Sequence, residues 1–232
     1  MPYYSYYYDY WYFILVVPAF LFSLWAQFKV KSTYSKMSSV RNTRGLTGAA
    51  AAARVLYHYG ITDVRIERVS GKLSDHYDPR TNVIRLSDGV YNSTSIAAVG
   101  IACHEAGHAA QHAQSYAPIK IRNMILPVCN IGSMAGIPLA ILGAFMGFDF
   151  LIYFGIILYA FVAVFQLVTL PVEFNASQRA IDVIEETGML FDDEVNGAKK
   201  VLKAAAMTYV ASLAVSLANL LRLIIRFGNR RD

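Results

Sequence analysis

Long apolar runs separated by polar segments set the pattern of this chain. Residues 10–28, 124–147 and 150–172 carry no charged side chain, and each run is long enough to cross about 30 Å of hydrocarbon as a helix. Only residues 148–149 separate the second and third runs, so these two are predicted to form an antiparallel helical hairpin. A fourth run, 204–221, is weaker and rich in alanine and serine. It is predicted either to span the membrane or to lie partly against the polar part of the chain.

The small residues of the second run favour close packing of the hairpin. They are Gly132, Ser133, Ala135, Gly136 and Gly143. Small side chains at a helix interface let two backbones approach each other closely within a membrane.

The composition supports a membrane protein. Of the 232 residues, 56% are hydrophobic and only 16% are charged, well below the roughly 25% charged residues of soluble domains. The net charge of +5 is accounted for by basic residues that flank the apolar runs, so nucleic-acid binding is not expected. Cys103 and Cys129 are too few for a disulfide framework, and both are predicted to pack in the interior. We expect a multi-pass protein of the cell membrane, with the lipid bilayer as a partner.

The first apolar run is predicted to be a retained anchor. A signal peptide is the competing interpretation, but it needs a basic segment before the run and a small-residue cleavage site after it. Residues 2–10 carry many tyrosines and no lysine or arginine. Tyrosine suits the membrane–water interface, where its ring is apolar and its hydroxyl is hydrated. A disordered tip is an equally open interpretation of the first six residues.

Basic residues predict the orientation of the spans. Five of them follow the first run closely: Lys29, Lys31, Lys36, Arg41 and Arg44. The positive-inside bias therefore predicts that residues 29–123 are cytoplasmic, and the hairpin returns residues 173–203 to the same side. The basic residues at positions 222, 226, 230 and 231 conflict with a fourth full span, which would carry them outside. Either the last segment is interfacial or re-entrant, or the tail tolerates the outer side.

The polar part is predicted to be a small α+β domain. Residues 47–59 are typical of a helix with Thr47 as its N-cap and Gly60 as its stop. Residues 64–69 alternate as a strand does, residues 73–80 are typical of a turn-rich connection, and residues 81–87 are predicted to be a second strand. A helix-forming segment, residues 93–114, follows.

That segment contains His104-Glu105-Ala106-Gly107-His108. At 3.6 residues per turn the two histidines lie one turn apart on the same helix face, where their imidazoles can bind one Zn²⁺ at about 2.0–2.1 Å. Glu105 then projects beside the metal and can accept a proton from an activated water molecule. Cys103 points about 100° away from His104, so packing explains it better than ligation.

The third ligand has to come from another segment. His112 lies about 12 Å along the helix axis from His104, too far for all three histidines to share one ion. Pro171 is predicted to begin a helix as the chain leaves the hairpin, which puts Glu173 in the first turn. This glutamate is the candidate zinc ligand, although a carboxylate there could instead interact with the helix dipole.

Three further side chains on this helix are candidates for the site. Asn175 and Ser177 could orient the ligands. Arg179 could stabilise an oxyanion, or it could have a phosphate-binding or surface role. The strand 81–87 is predicted to have a free edge, so an extended substrate could pair with Val83, Ile84, Arg85 and Leu86. Alternatively, this strand merely completes the sheet.

Several segments resemble one known family. They are residues 70–80, 96–108, 165–177 and 197–209, and they resemble the bacterial integral-membrane proteins described as putative neutral zinc metallopeptidases. The order of parts is also similar to that of the membrane metallopeptidases of the CAAX-processing and heat-shock type. The resemblance implies that His104, His108 and Glu173 bind zinc and that Glu105 is the base. That broader group usually has an aspartate four residues after the ligand glutamate, whereas this chain has Ser177.

These observations predict a mainly α-helical membrane protein with a small α+β, zincin-like cytoplasmic domain and a short sheet. Its predicted parts are an N-terminal tip and anchor (1–28), a cytoplasmic catalytic part (29–123), a transmembrane hairpin (124–172), a cytoplasmic helix with the third ligand (173–203), and a transmembrane or interfacial helix with a basic tail (204–232).

The predicted activity is that of a gluzincin-like zinc metalloendopeptidase that cleaves peptides or membrane proteins at the cytoplasmic face. The alternative is a non-enzymatic membrane adaptor or chaperone-like protein with a structural zinc site. A structural site usually has four protein ligands, and no fourth cysteine or histidine is well placed for it. The oligomeric state, the cleavage specificity and the roles of His76 and His112 stay open at this point.

Overall fold

Helices dominate the computed structural model, which describes residues 9–71 and 74–227. The helices are α1 (Val17–Ser38), α2 (Gly48–His58), α3 (Asp88–Tyr91), α4 (Ile96–Ala113), α5 (Ala117–Met146), α6 (Asp149–Glu186) and α7 (Asp192–Phe227). The strands are β1 (Arg65–Val69), β2 (His76–Asp78) and β3 (Val83–Ser87). The prediction of a mainly helical chain with a short sheet is confirmed. The tyrosine-rich tip and the basic residues 230–231 lie outside the described residues.

Contacts divide the chain into two units. Unit 1 contains residues 1–27, 120–170 and 208–232, and unit 2 contains residues 28–119 and 171–207. Helices α1, α5, α6 and α7 each contribute residues to both units. The five predicted parts of the chain stay a prediction, because a division by contacts does not locate a membrane.

Four helices among the described residues are long and apolar enough to cross a membrane. They are Tyr12–Ser38, which begins with the π-helical turn Tyr12–Val16, and the helices α5, α6 and α7. The fourth apolar run, residues 204–221, therefore lies inside a helix that is long enough to span.

In unit 1, α5 and α6 form the predicted hairpin. Gly147, with φ of +68°, takes the left-handed conformation that turns the chain between them. A Cβ atom on Gly143 would lie 2.7 Å from the amide nitrogen of Ile152, and one on Gly132 would collide with the carbonyl oxygen of Leu158. The predicted close approach of the two helices at small residues is confirmed.

Helix α6 runs without interruption through Pro171. The prediction that a new helix begins at this proline is wrong. Proline lacks the amide that would bind the carbonyl group of residue 167, but long apolar helices tolerate this loss where local adjustments satisfy the carbonyl group. Glu173 therefore lies in the second half of a 38-residue helix and not in a first turn. The alternative explanation of Glu173 by the helix dipole no longer applies, since that effect is confined to the terminal turn.

In unit 2 the three strands form one sheet in the order β1–β3–β2. Strand β3 pairs in parallel with β1, where Arg65 lies opposite Val83, and antiparallel with β2, where Tyr77 lies opposite Ile84. The predicted free edge of residues 81–87 is therefore wrong, because β3 is the central strand. Val83, Ile84 and Arg85 have strand partners on both sides, so an extended substrate cannot pair with them in this sheet. Leu86 is paired with β1, and β2 does not extend to it, so pairing of a substrate with Leu86 stays a prediction.

The third strand comes from the segment that was predicted to be a turn-rich connection. A tight turn follows β2, in which the Asp78 carboxylate accepts hydrogen bonds from the amide of Arg80 at 3.0 Å and the hydroxyl of Thr81 at 2.7 Å. Arg85 on β3 donates to the same carboxylate at 3.1 Å. The turn folds residues 76–78 back onto β3.

Helices α2 and α4, each with an N-terminal cap, form the core of unit 2 together with β3, α6 and α7. The hydroxyl of Thr47 accepts a hydrogen bond from the amide of Ala50 and begins α2, which stops before Gly60 at φ of +67°. Ser95 caps α4 in the same way through the amide of Ala98. Two-thirds of α4 is buried, which explains its many small residues.

Candidate metal centre

The imidazoles of His104 and His108 and the carboxylate of Glu173 converge in unit 2. Their candidate ligand atoms all lie within 4.8 Å of one another. Oε2 of Glu173 is 3.4 Å from Nε2 of His104 and 3.5 Å from Nε2 of His108. The two histidines lie one turn apart on α4, as predicted, and the glutamate comes from α6.

These distances fit a tetrahedral zinc ion. Ligands that bind Zn²⁺ at 2.0–2.1 Å with tetrahedral angles lie about 3.4 Å from each other. The two nitrogen–oxygen separations match this value. The site is also screened from water, because the side chain of Glu173 is only 4% exposed and those of His104 and His108 are 15% and 13% exposed. Two imidazoles and one carboxylate form a ligand set that is usual for catalytic zinc.

Gly107 allows α4 and α6 to come close enough for this geometry. A Cβ atom at position 107 would lie 2.6 Å from the carbonyl oxygen of Ala176, inside any normal contact distance. Ala176 lies one turn after Glu173 on α6, so the close approach occurs next to the third ligand.

Gln111 determines which nitrogen of His108 faces the site. Nε2 of Gln111 donates to the carbonyl oxygen of Val172 at 2.7 Å, and a carbonyl group can only accept, so this contact fixes the orientation of the amide. Oε1 of Gln111 then lies 3.0 Å from Nδ1 of His108, which must carry the proton. Nε2 of His108 is then the nitrogen that faces Glu173, 3.5 Å from its Oε2, and it is the ligand atom that the ring offers to a metal.

Sequence reasoning missed Gln111. It is completely buried, three residues after the second histidine in a helix of small apolar residues. An amide at such a position needs hydrogen-bond partners when it is buried, and this is the one pattern that could have pointed to it.

His104 has an orienting partner as well. The hydroxyl of Ser177 lies 3.1 Å from Nδ1 of His104, in the position expected of an orienting group. Asn175, the other candidate, acts through Gln111, because its Oδ1 accepts a hydrogen bond from Nε2 of Gln111 at 3.0 Å.

Arg179 extends the same network. Its Nε donates to Oδ1 of Asn175 at 2.8 Å, its Nη1 donates to Oε1 of Gln114 at 2.6 Å, and its guanidinium lies over the ring of Tyr59. The guanidinium thus joins α6 to the C-terminal end of α4. A role in stabilising an oxyanion stays a prediction.

Glu105 is held by the sheet. Its Oε2 accepts a hydrogen bond of 3.0 Å from the backbone amide of Tyr77 on β2. This amide points away from β3 and towards α4. The segment that was predicted to be only a connection therefore positions the side chain that the motif marks as the base.

The pKa values of His108 and Cys103 are both raised, but for different physical reasons. Burial lowers the pKa of His108, but the hydrogen bond with Glu173 and the charges of Glu105 and Glu173 outweigh it and raise the pKa above its ordinary value. Burial raises the pKa of the Cys103 thiol far above its usual range, and this residue lies in the hydrophobic core. A protonated, buried thiol supports the prediction that Cys103 packs and does not bind metal.

The remaining histidines of the motif region lie outside this cluster. Nδ1 of His112 is 3.4 Å from the hydroxyl of Tyr77. His76 is exposed, with its Nδ1 2.8 Å from the carbonyl oxygen of Ser74.

The comparison with known proteins agrees with this geometry. A family model described as "Putative neutral zinc metallopeptidase" matches residues 12–228. The chain belongs to this family. The resemblance to zinc metallopeptidases that the motif segments indicated is confirmed.

One relative of this chain is a protein of Bacillus subtilis (strain 168) named "Putative membrane protease YugP". It is 49% identical over 218 residues, which cover 94% of this chain and 97% of the relative. No solved structure matches the chain significantly.

Proposed function

We propose that the protein is a membrane-embedded zinc-dependent metalloendopeptidase that hydrolyses peptide bonds at the cytoplasmic face of the membrane. The observation that carries this proposal is the convergence of His104, His108 and Glu173, with Glu105 held beside them by the amide of Tyr77. Membership in a zinc metallopeptidase family supports the same activity.

In this proposal three side chains hold the metal. Nε2 of His104, Nε2 of His108 and Oε2 of Glu173 are the ligand atoms, and one coordination position is left for water or substrate. When bound, zinc supplies a Lewis acid that polarises the scissile carbonyl group and lowers the pKa of a water molecule. Gln111 keeps the imidazole of His108 in the tautomer that presents Nε2 to the ion, and Ser177 orients the imidazole of His104.

Glu105 moves the proton. Its carboxylate accepts the proton of the attacking water and then donates it to the nitrogen of the leaving amine. The amide of Tyr77 binds one carboxylate oxygen, Oε2, so the other oxygen can face the water.

The location follows from the basic residues and the apolar helices. Five basic residues lie between positions 29 and 44, which favours the cytoplasm for unit 2. In this proposal unit 2 is the zincin-like domain. Since four helices are apolar enough to cross a membrane, a substrate that is itself membrane-embedded or membrane-proximal is the natural class.

A structural zinc site in a non-enzymatic adaptor is not favoured. Such a site usually has four protein ligands, whereas the cluster among the described residues has three. Three protein ligands with an open position are typical of a catalytic site.

Substitution of Glu105 by glutamine tests the activity. Membranes from cells that produce the wild type or the Glu105→Gln variant are compared by labelling and mass spectrometry of new protein N-termini. The new termini that depend on the wild type should fall by about 100-fold or more, because a general base contributes a factor of this order. Zinc content should not change, since Glu105 is not a ligand.

Glu186→Gln is the matched control, because Glu186 lies on the exposed end of α6 and its side chain is 63% exposed. This control should retain full activity. Equal sets of new termini in the wild type and Glu105→Gln samples would exclude Glu105 as the base. Loss of zinc from Glu105→Gln would show that Glu105 itself takes part in binding the metal.

A further inference from the structure

Strand β1 is an edge strand, since the order of the sheet is β1–β3–β2. The amide of Arg65 donates to the carbonyl oxygen of Asn82 at 3.2 Å, so the backbone groups of Arg65 and Glu67 face β3. Successive residues of a strand point these groups in opposite directions, so those of Ile66 and Arg68 face away from β3. Among the described residues no hydrogen bond reaches this outer side. The edge can therefore pair with one more strand.

The two faces of β1 differ in their chemistry. Ile66 packs against the core on one face, together with Val64 just before the strand. Arg65 and Glu67 lie on the other face, where their side chains form an ion pair of 3.2 Å and are 69% and 41% exposed. Opposite charges two positions apart can match a copy of the same strand, because antiparallel pairing reverses their order.

Charge selects one register for such a pair. Outward-facing backbone groups have to pair with each other, so the two-fold axis of the pair passes through a residue position and not between two positions. With the axis at Ile66, each Arg65 lies opposite Glu67 of the other copy. With the axis at Arg65, Glu67 or Arg68, that charged residue lies opposite its own copy. Opposite charges in these positions stabilise a strand pair and like charges destabilise it, so the axis at Ile66 is favoured.

A cavity of about 380 Å³ lies beside the same edge, and its lining comes entirely from residues 53–66. Leu56, Ile61 and Ile66 are among the apolar side chains that line it, and the ring of Tyr57 beside them is 88% exposed. In the favoured register, Ile66 of a second copy lies next to Ile66 of the first on this face. The second copy therefore covers apolar surface that is otherwise in contact with water.

We propose that β1 is a homodimer interface, in which the β1 strands of two copies pair in antiparallel order about a two-fold axis at Ile66. The two three-stranded sheets then become one continuous sheet. A two-fold interface uses the same surface of both copies, so that surface has to be complementary to itself. The alternation of Arg65, Ile66 and Glu67 meets this requirement, and it favours a second copy over an unrelated strand.

Charge reversal in two separate chains tests this proposal. One full-length copy is sparsely immobilised in detergent and titrated with the other, which gives a dissociation constant. Arg65→Glu on both copies, or Glu67→Arg on both copies, should raise this constant by about tenfold or more, because two attractive cross-strand pairs become repulsive. Arg65→Glu on one copy and Glu67→Arg on the other should restore association, because opposite charges then face each other again.

The mixed pair separates association from folding. Each of its chains still carries two like charges on its own β1, so a repaired fold cannot explain restored association. Arg80→Glu is the matched control, since Arg80 is an exposed arginine of the turn after β2, at the other edge of the sheet. This control should associate like the wild type.

A single cysteine tests the register. In the proposed pair the Cα atoms of the two copies of residue 66 are about 5.5 Å apart, a distance that a disulfide can bridge. Mild oxidation of isolated membranes should therefore cross-link two copies of Ile66→Cys. Thr62→Cys is the control, because residue 62 is exposed but lies before β1 and far from its own copy in this register. The native Cys103 and Cys129 are buried.

Three results would overturn the proposal. The first is a dissociation constant that Arg65→Glu and Glu67→Arg leave unchanged, which would place any contact between copies elsewhere. The second is equal cross-linking of Ile66→Cys and Thr62→Cys. The third is a cross-link from Ile66→Cys to a different protein and none to a second copy, which would show that the edge binds another strand.

Discussion

The orientation of His108 depends on the side-chain amide of Gln111. Its two hydrogen-bonding groups act in opposite directions: one donates to the backbone of α6 and the other accepts from the imidazole. A single buried side chain thus links the helix that carries two ligands to the helix that carries the third. Hydrogen-bond partners of ligand histidines fix the ring and its tautomer.

Replacement of Gln111 by leucine should weaken zinc binding. The variant leaves the N–H of His108 without its acceptor, and loss of such a partner typically lowers metal affinity by about 10- to 100-fold. The measurement is a zinc competition titration with a chromogenic chelator. Gln178→Leu, an exposed glutamine of α6 that donates to the carboxylate of Asp182, is the control and should bind zinc like the wild type. Equal affinity of Gln111→Leu and the wild type would contradict the orienting role.

Ser177 offers a second test at the same scale. Ser177→Ala should lower zinc affinity by about tenfold, because Nδ1 of His104 loses its partner at 3.1 Å. Ser177→Asp should restore or increase the affinity, since a carboxylate in this position makes the imidazole a stronger ligand. The same chelator titration measures both. A similar affinity in the alanine and aspartate variants would show that position 177 does not act through His104.

A single residue could be predicted from the sequence where its spacing from another residue implied a shared chemical role. His104, Glu105 and His108 could be identified because one helical turn brings two imidazoles onto one face. Glu173 followed from the need for a third ligand after the hairpin. Gln111 could not be found in this way, because nothing in its spacing distinguishes a buried hydrogen-bonding glutamine from an exposed one.

At the scale of the elements, the contact between α4 and α6 sets the width of the metal site. Gly107→Ala should push the two helices apart, because the new methyl group would lie 2.6 Å from a backbone oxygen that has little room to move. Zinc affinity should fall by about tenfold or more while the circular dichroism spectrum stays helical. Gly100→Ala is the matched control, since its Cβ would lie 3.4 Å from Cβ of Ala198, an ordinary contact. Wild-type zinc affinity in Gly107→Ala would show that the helix spacing is not critical.

The contribution of the turn between β2 and β3 to the stability of the protein should depend on pH. Hydrogen bonds from Thr81, Arg80 and Arg85 lower the pKa of Asp78 to about 2 from its ordinary value near 3.8. The charged form is thus favoured in the folded state, so its contribution to stability is present above about pH 4 and is lost as the pH falls towards about 2. Asp78→Asn should therefore lower the denaturant midpoint at pH 7. The difference from the wild type should disappear near pH 2. A difference that is constant with pH would contradict this origin.

The elements that sequence reasoning missed share one cause. Residues 76–78 are flanked by aspartate, proline and threonine, which are typical of turns, and only tertiary pairing with β3 makes them a strand. Pro171 suggested a helix start for the same kind of local reason, but α6 continues because the surrounding structure outweighs the lost hydrogen bond. Helix α2, by contrast, has its own cap and stop in the sequence, and its predicted bounds were confirmed.

At the scale of the whole molecule, the distribution of charge predicts the topology. Cysteine at position 62, an exposed site near the start of β1, should react with a membrane-impermeant maleimide only in inside-out vesicles. Cysteine at position 148, in the hairpin turn, should react in intact cells. The native Cys103 and Cys129 are buried and need no replacement. Labelling of position 62 in intact cells would contradict the proposed orientation.

The conflict over the C-terminal arginines shows that a count of basic residues is not enough to predict the topology of the last helix. Arg222 and Arg226 lie at the same end of unit 1 as Asp9, at the opposite end of the first helix from the basic residues 29–44. The positive-inside rule concerns basic residues in loops, whereas these two are partly buried and paired. Pairing over 213 positions of sequence cannot be derived from a local pattern.

The bond between Glu105 and β2 has a consequence for how the protein can change over evolutionary time. The donor is the main-chain amide of residue 77, which every amino acid except proline supplies. Nineteen of the twenty side chains could therefore replace one another at this position without withdrawing the contact. A substitution at residue 77 can thus alter the ring that packs against the core and the hydroxyl that donates to Asn82 without removing the hydrogen bond to Glu105.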